Sequence, residues 1–188
     1  MGRSRVRALP VALLASVLGL AGCQREAEPP PIESGQAQEM LEGWNYIGQK
    51  LIEMAEDFPA EKYDYRPTEE VRSFGEMLRH VAAVNFRYIR QAQGREYEPE
   101  EFAPEKFQSK DDIAALIKRS YEEGGLLLED ATDEQMLEPM KNPYGDRSTS
   151  GYTYWVQAAG HAAEHYGNLV TYYRLNGLVP PASRRPEQ

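Results

Sequence analysis

The chain has 188 residues, with 21 Lys and Arg against 30 Asp and Glu, a net charge of −9 at neutral pH. That balance excludes the basic footprint that nucleic-acid binding needs, and it argues against adhesion to anionic lipid through the protein surface. The one cysteine, Cys23, excludes an intrachain disulfide.

Residues 1–22 are expected to be an export signal. Arg3, Arg5 and Arg7 precede an apolar run from Val11 to Leu20 that is too short for a good membrane-spanning helix. The run ends in Leu20-Ala21-Gly22-Cys23, which resembles the bacterial lipobox. The resemblance implies cleavage before Cys23, lipid on its sulfur, and attachment to a membrane in the cell envelope. With Gln24 next, that is the outer membrane facing the periplasm in a Gram-negative host. The alternatives are an ordinary secreted protein and an uncleaved anchor. Removing residues 1–22 leaves 166 residues and takes the charge from −9 to about −12, since three arginines go with them. A lipidated Cys23 would leave the folded domain without a thiol nucleophile or ligand.

Residues 23–35 hold three consecutive prolines, Pro29 to Pro31, and read as a flexible tether. From there the pattern turns helical. Met40, Leu41, Trp44, Ile47, Leu51, Met54 and Phe58 recur at steps of three and four, and Pro59 ends the run. Ser73-Phe-Gly-Glu76 is a capping box that opens a second helix, with Phe74, Met77, Leu78, Val81, Val84 and Tyr88 as its inward stripe and Gly94 as its end. Ser109 starts a third helix carrying Ile113, Leu116, Ile117, Tyr121, Gly124, Leu127 and Leu128. A polar crossing loop follows, with one helical turn near Thr132. The last helix runs from about Tyr152 to Leu175, with Trp155, Ala158, Ala162, Leu169 and Tyr172 inward, and stops at Asn176-Gly177. No strand alternation stands out. Residues 36–182 are therefore expected to form an all-α four-helix bundle with long crossing connections, and residues 183–188 a disordered tail.

The chain has three histidines. His161 and His165 stand four apart on one helical face, about one turn from each other, and His80 lies beside the apolar stripe of the second helix. Lone histidines on apolar faces are usually hydrogen-bonded core residues. Here all three project from inner faces, where imidazoles without partners would be costly, and one metal ion satisfies them together. Glu164 points about 100° away from His165 and reads as a surface carboxylate rather than a base. Glu76 is the one carboxylate singled out as able to close the site. Tyr63, Tyr65, Tyr144, Tyr154 and Trp155 read equally well as a pocket wall and as loop packing. Arg174 reads as an anion ligand or, more simply, as a cation at a helix C-terminus.

Ser73-Phe-Gly-Glu-Met-Leu-Arg-His80, and then His161-Ala-Ala-Glu-His165-Tyr-Gly167 through Arg174 to Gly177 and Pro180-Pro181, resemble the DinB-like family. The resemblance spans residues 36–182. It implies an up-up-down-down bundle and one divalent metal ion, zinc or nickel, on His80, His161 and His165. Some members of that family are transferases or isomerases that use small thiols such as bacillithiol or mycothiol, and many form homodimers. The lipobox departs from the cytoplasmic members and sets this chain apart from a cytoplasmic thiol cofactor.

Three neutral imidazoles leave an ion its full charge, so that it acidifies a bound water or holds a thiolate. One expectation is a membrane-anchored metal-dependent hydrolase or thiol-dependent transferase acting on an unnamed small molecule. The other is a non-catalytic metal- or ligand-binding envelope protein. A bundle that has lost its function ranks last, because all three histidines are present.

Overall fold

The computed structural model describes residues 34–184. The export signal, Cys23 and most of the tether lie outside the described residues, as do residues 185–188.

Four long helices form where the periodicity places them: α1 (Gln36–Asp57), α2 (Phe74–Ala92), α3 (Lys110–Glu129) and, after a short α4 (Asp133–Leu137), α5 (Gly151–Leu175). The starts are set locally. Ser73, Ser109 and Thr132 each accept a hydrogen bond from the third residue of their helix, whose side chain bonds back to the cap. This satisfies amide groups that a helix start leaves without partners. Gly177, at φ 71°, lets the chain leave α5 through a left-handed residue that lacks a Cβ clash. Among the described residues no helix is long and apolar enough to cross a membrane.

The helix directions follow from side chains that bridge them. Lys110, opening α3, donates to the Phe58 carbonyl just past α1, so these two run antiparallel. Tyr173 near the end of α5 donates to Met54 near the end of α1, while Trp44 meets Trp155 near both starts, so α1 and α5 run parallel. Tyr154 at the start of α5 donates to Tyr88 near the end of α2, which makes that pair antiparallel. The order is up-down-down-up, which corrects the expected up-up-down-down arrangement. The connection 58–73 turns back at one end of the bundle, with Phe58 stacked on Phe74 at 3.8 Å. Only 93–109 must travel the bundle's length. Helix α1 packs on α3 and α5, and α2 packs on the same two.

A hairpin went unseen in the sequence. Strands β1 (Pro139–Lys141) and β2 (Ser148–Ser150) pair antiparallel, Met140 opposite Thr149, just before α5. Three-residue strands carry too little alternation to be read. Their turn is held by Asn142, whose side chain accepts from the Tyr144 amide at 2.8 Å. Ser183 and Arg184, expected within the tail, are held, the latter by an ion pair to Asp57 at the end of α1.

The core runs the length of the bundle. Trp44, Leu51, Phe58, Phe74, Leu78, Ile117 and Tyr173 are fully buried. Helices α1 and α3 approach closely at two glycines. A Cβ on Gly48 would lie 2.5 Å from the Tyr121 ring, and one on Gly124 would collide with the Trp44 indole. Trp44 spends its one donor on the Tyr121 carbonyl, 3.0 Å away. Arg90 is buried but paired, 2.7 Å from Glu123 on α3 and 3.5 Å from Glu101 in the crossing connection.

Candidate metal centre

The three histidines converge. The Nε2 of His161 lies 3.1 Å from the Nε2 of His80 and 3.1 Å from that of His165. The ligating atoms all fall within 4.8 Å of one another, and this group could hold a metal ion. Among the described residues no carboxylate joins it.

The placement is built from local structure. The capping box starts α2 at Phe74, which puts His80 two turns inside the helix. His161 and His165 sit mid-way along α5, flanked by the buried small residues Ala158 and Ala162. Two tyrosines hold α5 against α2 on either side of this level. Tyr154 donates to the Tyr88 carbonyl at 2.6 Å and Tyr172 to the Arg72 carbonyl at 2.6 Å. Sliding α5 along α2 breaks both bonds, so they set the longitudinal register that brings the rings together.

The donor set fits a divalent cation. Metal–nitrogen bonds of ~2.0–2.1 Å put neighbouring nitrogens of a tetrahedral site ~3.3 Å apart and those on an octahedral face ~2.9 Å apart. The observed 3.1 Å lies between. Without a cation, lone pairs face one another at that spacing and at most a shared proton relieves them. With Nε2 turned inward, each ring's proton belongs on Nδ1. At His165 that nitrogen is 3.3 Å from the Asn168 side-chain amide, which accepts once turned to present its oxygen. The His161 Nδ1 is buried without a partner.

Electrostatics keep the rings neutral. Burial, then the positive charge of Arg72 and the other two rings, pushes His80 down to about 4. Burial and His165 push His161 down to about 4 against the opposing pull of Glu164. Burial lowers His165 as well. All three therefore present free lone pairs at neutral pH, which is what ligation requires.

Other expected residues fall elsewhere. Glu76 accepts from the Ser73 amide at 2.7 Å and pairs with Arg66 at 3.0 Å, so it does not close the site. Glu164 is exposed, as read from its angle. The five aromatics are packing residues or lie away from the rings. Tyr154 is fully buried, Trp155 packs on Trp44, and Tyr63 donates to the Ala55 carbonyl. Tyr65 packs edge-on against Tyr172, and Tyr144 is exposed beside Tyr88. None of them lines the cavity beside His80. Arg174 is exposed in the last turn of α5. Two residues near the site escaped the sequence reading. Asn168 follows His165 by three and was findable from helical spacing. Arg72 precedes the N-cap and carried no signal.

The sequence pattern of the DinB superfamily matches residues 46–169, and the chain belongs to that superfamily. Solved structures share the fold. A DinB-like protein of Bacillus subtilis superposes with a TM-score of 0.61 at 23% identity, over 78% of this chain and 99% of that one. Another from Bacillus cereus gives 0.64 at 15% identity, over 77% and 95%. No curated protein matches the chain.

Proposed function

We propose that this protein is an envelope metalloprotein. It holds one divalent cation, zinc or nickel, on His80, His161 and His165, and is tethered to the membrane by lipid on Cys23. The observation that carries the reading is the meeting of three Nε2 atoms at 3.1 Å spacings from helices whose histidines are 81 residues apart in sequence. The tether rests on the Leu20-Ala21-Gly22-Cys23 pattern alone.

A cation held there supplies a Lewis acid with positions left open by the protein. The chain's own residues do the rest. The three rings bind through neutral nitrogens, Asn168 orients His165, and the tyrosine bonds to α2 keep the two halves in register. We take the reaction class to be hydrolysis or transfer to a thiol, acting on a small molecule. A purely structural site would be closed by a fourth protein ligand, and the expected one, Glu76, is engaged elsewhere.

The deciding experiment is elemental analysis of untagged full chain purified without added metal, beside His161→Ala/His165→Ala. About one zinc or nickel per chain in the first and none in the second is expected; equal content in both sinks the assignment. Phase partition of wild type against Cys23→Ala tests the tether, with loss of the detergent-phase fraction expected in the variant. A screen of ester, amide and thiol-transfer substrates with wild type and His80→Ala separates catalysis from mere binding. Activity that survives the loss of His80 removes this site from the chemistry.

A further inference from the structure

Beside His80 runs a trough with a charge unlike that of the molecule. Glu76, His80 and Ala83 line it along one side of α2, at the three- and four-residue steps of a helix face, and Arg72, just before the N-cap, lines it too. Phe102 and Pro104 from the crossing connection line it as well, and so does Arg79. The cavity measures about 330 Å³, the small end of the ~300–1,000 Å³ of ligand pockets.

The chain as a whole carries −9, yet the trough is cationic. Its one carboxylate, Glu76, is already taken by Arg66 and the Ser73 amide. Arg79 gives one N–H to the Phe107 carbonyl at 3.0 Å. Among the described residues neither Arg72 nor Arg79 pairs with a carboxylate. A guanidinium presents a planar fork that matches a carboxylate, and a cleft lined by one sign of charge concentrates the opposite one.

We propose that this trough is the ligand subsite of the metal centre and takes a small organic carboxylate. The guanidinium of Arg72 holds the carboxylate, and Ala83, Phe102 and Pro104 receive an apolar remainder next to His80. The proposal names the ligand class of the site described above and rests on that reading for any chemistry. Anion binding itself stands on the trough alone.

The test is calorimetric titration of the detergent-solubilised full chain, zinc-loaded and metal-free, with benzoate, acetate, inorganic phosphate and benzyl alcohol. Benzoate is expected to bind more tightly than acetate or phosphate, and benzyl alcohol not to bind. Arg72→Gln should weaken benzoate roughly tenfold to a hundredfold, with zinc content and melting temperature unchanged. Arg72→Lys should recover part of the loss, and Arg174→Gln should change nothing. No benzoate binding, equal binding by Arg72→Gln, equal binding of benzyl alcohol, or a preference for phosphate each overturns the proposal. Arg72-dependent benzoate binding by protein that cannot hold zinc removes the metal centre and leaves the trough. Zinc retention with no benzoate binding does the reverse.

Discussion

The two flanks of this bundle are put to opposite uses. Where α1 meets α3, glycines at 48 and 124 let two aromatic rings interlock; the Trp44 indole N–H is satisfied by the Tyr121 carbonyl, and the Tyr121 hydroxyl is buried without a partner. Where α2 meets α5, three imidazoles face one another half-buried, and one Nδ1 has no partner. Among the described residues the first contact is one of packed rings, with a single hydroxyl left over and no cluster of ligating atoms. The second has spent stability on polar groups that need something more, and such groups mark function rather than packing. The flanks are joined by fully buried aromatics such as Phe58, Phe74 and Tyr173, so a change on one side need not alter the chemistry on the other.

The sharpest way to break the contrast is to damage the dry side alone. Leu51→Ala, at a fully buried position of α1, should cost about 2–5 kcal/mol in urea unfolding, and Gly124→Ala about 1–3 kcal/mol by overpacking against Trp44. Both should keep their metal stoichiometry; loss of metal in either would show that the two flanks are not separable. Next in size is chelation. Ligand held at a hundredfold excess over its dissociation constant adds ~2.7 kcal/mol to the native state, so a chelator should lower the melting temperature of wild type and leave His161→Ala/His165→Ala unmoved. An identical shift in both would place the metal elsewhere.

Tyr172→Phe removes one of the two bonds that hold α5 in register against α2 and should cost ~1 kcal/mol. Its sharper readout is metal affinity, which should fall although no ligand has been touched. Unchanged affinity would mean that packing alone sets the register. The smallest effect is that of acid on metal-free protein, because all three rings keep some contact with water. In the fold His80 and His161 sit at about 4, below their ordinary 6.5. As pH falls below 6.5 the unfolded chain binds protons that the folded one refuses, so their contribution is whole above 6.5 and is lost progressively toward 4. The chevron or urea midpoint of apo wild type should fall across that window more steeply than that of His80→Ala/His161→Ala. Parallel profiles would argue that the rings are freely solvated.

Much of this was legible in the residues. The capping boxes at Ser73 and Ser109 announce helix starts to the residue, because the cap and its partner lie three apart and no distant group takes part. The inward stripes of α1 and α2 match the buried residues, except that Leu41 is only partly buried. The His161–His165 pair needed only the helical pitch. What could not be read depends on partners far along the chain. Arg90 looks like any surface arginine until Glu123 and Glu101 come to it. Arg72, one residue before the N-cap of α2, acquires meaning only beside Phe102 and Pro104. The hairpin at 139–150 was too short to show its period.

Taken by itself, the amino-acid sequence determined the number of long helices, their starts, their apolar faces and the spacing of two of the three histidines, since each is governed by groups within a turn or two. The order of the helices, the closing of His80 onto the other pair and the cationic trough beside it were decided only in the tertiary structure. They depend on which end of the bundle each connection reaches and on tyrosines that bond across it, and neither distance along the chain nor periodicity records that.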